Sequence, residues 1–89
     1  MSLPWWLDGY EPDAVERVLR CLAIQSRLQL EGIEADIASR LLRNGYVRGE
    51  LESTVVGADG PLAIELESRG LSDLGGALLA RIAHFDALG

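Results

Sequence analysis

Arg40, Arg43 and Arg48 stand close together in the sequence, with Ser39 and Asn44 beside them. An arginine guanidinium forks to a phosphate or to the edge of a guanine, so these residue types suit recognition of a nucleic acid. The same stretch holds a competing arrangement. Asp36 lies four residues before Arg40, the spacing of an ordinary stabilising helix pair, and Glu34, Glu50 and Glu52 are close by. Charge runs on helices are more often solvated faces than binding surfaces.

Other chemistry is sparse. His84 is the only histidine; with Asp86 it lacks a second histidine or paired cysteines, so no metal site is expected. Cys21 is the only cysteine and reads as a small packed hydrophobe. The acids are scattered, with no recognisable acid–base pair and no glycine-rich phosphate loop. An enzyme is therefore not expected, nor a cofactor.

Bulk properties narrow the field further. The chain has 89 residues, enough for one domain that buries roughly 60–65% of its unfolded surface, a thin core that oligomerisation commonly supports. All eight basic residues are arginine, and the net charge is −6, so the overall field repels a polyanion. A single cysteine precludes an internal disulfide and suits a reducing, cytoplasmic compartment. The N-terminus has no charged-then-apolar signal pattern, and no apolar run approaches a membrane span.

The elements that must position these residues follow from periodicity. Residues 1–12 read as an irregular leader holding Trp5, Trp6 and Tyr10, and residues 13–89 as one domain. The leader is a lid on the domain's own core or, through Trp5 and Trp6, an anchor for a partner or second copy. Pro12 and Asp13 open a first helix, with Asp13 as cap and Glu16 completing a capping box. Val15, Val18, Leu19 and Leu22 form one stripe on it, and Cys21, Ile24 and Leu28 a second. This helix runs to about Leu30 or breaks near Gln25-Ser26. Ile33, Ile37 and Leu41, flanked by Ala38 and Leu42, mark a second helix that Asn44-Gly45 ends. A hairpin follows. Val47, Leu51 and Val55 share one face of its first strand; Leu62, Ile64 and Leu66 share one face of its second, across a turn at residues 57–61. Ser68 is placed to cap a last helix, whose seam of Leu71, Leu74, Leu78, Ile82 and Phe85 is expected to pack on the first helix and, in part, against a second subunit. Gly75-Gly76 within it points to a kink or a close helix–helix crossing.

The fold class expected is mainly α with a small β-hairpin. Leu41-Leu42-Arg43-Asn44-Gly45-Tyr46-Val47 and the run from Ile64 to Leu74 resemble the winged helix-turn-helix class of small bacterial regulators. The resemblance implies two or three helices, a two-stranded wing and a C-terminal helix that often dimerises. It also makes helix 33–43 the recognition helix. The wing tip departs from the pattern, with Asp59 and no base where phosphate contacts would lie. Two roles follow. One is a transcriptional regulator that binds double-stranded DNA as a homodimer, through Ser39, Arg40, Arg43, Asn44 and Arg48. The other is an acidic adaptor that docks a protein partner through Trp5, Trp6 and the terminal helices and binds no nucleic acid.

Overall fold

The computed structural model describes residues 3–58 and 60–88, and their side chains except at positions 61 and 84–88. The chain is a small α+β protein. A short 3-10 turn, Trp5–Leu7, precedes helix α1 (Pro12–Ile24), strand β1 (Arg27–Glu31) and helix α2 (Gly32–Arg43). Strands β2 (Val47–Gly57) and β3 (Gly60–Leu71) and helix α3 (Asp73–Leu88) follow. The three strands form one antiparallel sheet in the order β1-β3-β2. The sheet is thus three-stranded where a two-stranded wing was expected.

The third strand comes from the segment expected to continue the first helix. That helix ends at Ile24, with Gln25 already extended. Beyond it Arg-Leu-Gln-Leu-Glu alternates polar and apolar with period two, and the burial alternates with it. Leu28 therefore belongs to a strand and not to a second helical stripe. Leu28 and Leu30 bury against the helices together with Ile64, Leu66 and Ser68 of β3, while Arg27, Gln29, Glu31 and Glu65 stay exposed. All helices thus cover one face of the sheet, and the other faces solvent, the usual state of an antiparallel sheet.

The helices form for legible reasons, with corrections at their ends. Pro12 opens α1, where its missing N–H costs nothing. The residue preceding it, Glu11, is the cap position, and no side chain caps the helix. Asp13 lies inside the first turn, and Glu16 makes no capping box but pairs with Arg20 at 3.2 Å. Gly45 ends α2 as expected, in the left-handed conformation at φ 81°. The α2 stripe is buried at Ala35, Ile37, Ala38 and Leu41, but Ile33 is 64% exposed. It sits in the first turn, beyond the edge of what the sheet covers.

The hairpin is longer than its pattern suggested. β3 runs to Leu71, so Ser68 is a strand residue; its hydroxyl donates to the Leu22 carbonyl at 2.5 Å and ties β3 to the end of α1. Ser72 takes the capping role for α3, its Oγ accepting from Gly75 N at 3.3 Å. Three register shifts interrupt the pairing of β2 with β3, and the one between Leu51 and Ser53 adds a residue to β2. Leu51 therefore lies opposite Leu66 on the helix side, whereas Val55 lies opposite Ala63 on the other. The two do not share a face, because a bulge adds a residue and inverts the alternation beyond it.

The core is one cluster that includes Leu7, Val15, Val18, Leu19, Leu22, Ile37, Leu41, Ile64, Leu66, Leu78 and Ile82. Leu7 is fully buried, so the leader is part of the packed unit. Of the expected α3 seam, Leu78 and Ile82 are buried, Leu71 is half-buried at the end of β3, and Leu74 is exposed. Phe85 lies outside the described side chains. The glycine pair marks a close approach at Gly75, to a turn and not to the helix that a helix–helix crossing would supply. A Cβ there would lie 2.0 Å from the Tyr46 carbonyl oxygen, so the neighbour is the α2–β2 turn.

Candidate functional site

The site builds outward from Asp36, half-buried on the side of α2 opposite its buried stripe and next to the start of β3, where a Cβ on Gly60 would lie 3.9 Å from its Oδ1. Its Oδ1 accepts from Arg40 Nε at 3.2 Å, the i,i+4 pair that the spacing suggested. Its Oδ2 accepts from the hydroxyl of Tyr10. Arg40 then reaches back to the leader: Nη1 donates to the Trp6 carbonyl at 3.1 Å, and the guanidinium lies 5.7 Å from the centre of the Tyr10 ring. Trp6 stacks edge-on against Tyr46, with ring centres 5.1 Å apart. The leader is therefore strapped along α2 by hydrogen bonds at Asp36 and Arg40, an aromatic contact at Tyr46, and Leu7 in the core.

This arrangement separates the five residues that the sequence grouped together. Ser39 is buried and faces the core. Arg40 holds the leader. Asn44 closes α2, its backbone N–H and its Nδ2 both donating to the Arg40 carbonyl, at 3.0 and 2.8 Å. Arg43 and Arg48 are exposed and make no salt bridge among the described residues. They flank the α2–β2 turn that carries Tyr46. Trp5, next to Trp6, is 86% exposed. Leu74, also exposed, adjoins the Gly75 that packs on Tyr46. Arginine, tryptophan and tyrosine thus gather around one turn, a composition enriched in the anchor residues of protein interfaces.

On the opposite side of the molecule the open sheet face is acidic. The register sets Arg27, Glu67 and Glu50 in one row, and Gln29, Glu65 and Ser53 in the next. Gln29 Nε2 donates to Glu65 Oε1 at 3.1 Å, and Arg27 lies 3.9 Å from Glu52. The expected first helix, reaching about Leu30, hides this face; the alternation of residues 27–31 is the signal that reveals it. No local pattern announces the Tyr10–Asp36 bond.

Among the described residues, no group of three or more His, Cys, Asp and Glu side chains is placed to hold a metal ion. No described helix is long and apolar enough to cross a membrane. The chain matches no family model, no curated protein and no solved structure.

Proposed function

We propose that this chain is a non-enzymatic protein-interaction module, an adaptor or accessory subunit, and not a reader of DNA. The fold is taken as winged-helix-like in its hairpin and closing helix, with α2 in the place of the recognition helix. One observation carries the reading: the leader lies on α2. A helix reads DNA by laying side chains of its outer face into the major groove. Here Tyr10 and the Trp6 carbonyl engage that face at Asp36 and Arg40. The open sheet face adds repulsion of phosphate, in keeping with a net charge of −6. The docking surface in this reading is the turn that carries Tyr46, with Trp5, Trp6, Arg43, Arg48 and Leu74 around it.

The deciding experiment is titration with random duplex DNA. At about 50 mM salt even nonspecific electrostatic binding is strong, and the adaptor reading expects none. Binding that weakens steeply with salt and disappears in Arg43→Ala/Arg48→Ala would restore the regulator reading and define its face.

A further inference from the structure

We infer that the free edge of β1 is a self-association surface, pairing antiparallel with β1 of a second copy about a two-fold axis at Gln29. This is independent of the adaptor reading and uses a different face. With strand order β1-β3-β2, β1 and β2 are the two edges of the sheet. They are built differently. The pairing of β2 with β3 is broken by three register shifts, and an irregular edge is blunted against further pairing. β1 pairs with β3 without interruption, from Arg27↔Glu67 to Glu31↔Ala63, and offers a regular row of outward backbone groups.

The occupant is a second copy because the strand is its own complement. Read antiparallel about Gln29, Arg27 comes opposite Glu31, Leu28 opposite Leu30, and Gln29 opposite itself. Opposite charges meet at both ends, and no like charges face each other. Both partners are available. Arg27 is 77% exposed and held only at 3.9 Å by Glu52, and Glu31 makes no salt bridge among the described residues.

The flanks match as well. Ile24, the last residue of α1, is 83% exposed, and Ile33, near the start of α2, is 64% exposed. They lie five residues before and four after Gln29. Reversing the strand brings the end of α1 in one copy to the start of α2 in the other, so Ile24 meets Ile33 twice. A groove of about 570 Å³ borders Ile33, with Tyr10 and Ala14 as its other apolar walls and Glu11, Glu31, Glu34 and Arg17 at its rim, so Ile24 would rest on its Ile33 side. The helix dipoles agree, a C-terminus meeting an N-terminus. Stacking the two open sheet faces instead would oppose glutamates to glutamates. The edge contact avoids that and yields one six-stranded sheet with all helices on one side.

Mass in solution, measured by sedimentation up to about 200 µM, where weak dimers populate, is the test. The wild-type chain is expected to reach twice the chain mass. Arg27→Glu sets two like-charge pairs in the interface and should weaken dimerisation at least about tenfold. The double swap Arg27→Glu/Glu31→Arg re-forms both pairs and should recover it. Gln29→Cys in a Cys21→Ser background should cross-link to itself, because directly opposed strand Cα atoms lie about 5 Å apart, within disulfide reach. A monomeric wild type overturns the proposal, and so does a dimer that both Arg27→Glu and Ile24→Asp leave intact. Far-UV circular dichroism confirms that each variant is folded.

Discussion

Asp36 uses both carboxylate oxygens to join two segments far apart in the chain, one bond to Arg40 on its own helix and one to Tyr10 in the leader. Hydrogen bonds to charged groups contribute about 1.5–3 kcal/mol when well enclosed, and partial exposure at Arg40 and Asp36 puts this site at the low end. Tyr10→Phe should cost about 1 kcal/mol. Arg40→Ala removes the bonds to Asp36 and to Trp6 and should cost about 1–2 kcal/mol, a fall in melting temperature of roughly 4–15 °C in a domain of this size. Because Trp6 rests on Tyr46, the Arg40→Ala protein should also show altered tryptophan emission under native conditions. A melt and spectrum unchanged in Arg40→Ala would mean that Arg40 does not hold the leader. At this scale the sequence was half legible. The Asp36–Arg40 pair follows from spacing on one helix. That Tyr10 joins it, 26 residues away, depends on where Leu7 enters the core, and no local pattern encodes that. Ser39 illustrates the same limit: its place beside Arg40 says nothing of burial, which rotation about the helix decides.

Helix α3 holds two adjacent glycines with opposite reasons for being there. At Gly75 a Cβ would fall 2.0 Å from a backbone oxygen, that of Tyr46, so either the helix or the turn must move. At Gly76 nothing lies within 4 Å. Alanine is favoured over glycine by about 1 kcal/mol in a helix interior, so Gly76→Ala should stabilise by up to that amount. Gly75→Ala gains the same propensity but meets a clash that typically costs about 1–3 kcal/mol or more, and should be destabilised on balance. Paired urea melts of the two variants check this, and equal effects would show that Gly75 makes no tight approach. The elements themselves were mostly readable. Each helix begins near a proline, an acid or a serine, and α2 ends at Gly45. What escaped were features in which a long-range partner decides. Residues 27–31 become a strand because β3 is there to pair with them. The register shifts between β2 and β3 depend on how two long strands align, and the sequence marks them only weakly, at Gly49. A Cβ at that glycine would also strike a backbone oxygen, that of Glu67.

For the whole molecule, the uneven distribution of charge matters more than its sum. The helix side spreads arginines among acids, whereas the sheet face sets Glu67 of β3 directly opposite Glu50 of β2. Like charges opposed across strands destabilise a sheet, and an opposite pair contributes roughly 0.2–1 kcal/mol. Glu67 already has Arg27 opposite it on β1 and Arg69 at 3.4 Å, which offset part of the repulsion but leave Glu50 facing a carboxylate. Glu50→Arg should therefore raise stability by about 0.5–1 kcal/mol, seen as a rise of roughly 2–8 °C in melting temperature. The gain should shrink at high salt, where exposed charges are screened. The same variant separates the two edges of the sheet. β2 lies across β3 from β1, so pairing through β1 leaves residue 50 outside the interface, and Glu50→Arg should not change the mass in solution. A variant that gained stability but lost its dimer would place self-association on the β2 side. Unchanged mass beside a higher melting temperature would place the repulsion on the open face and the contact on the edge that Arg27 and Glu31 bracket.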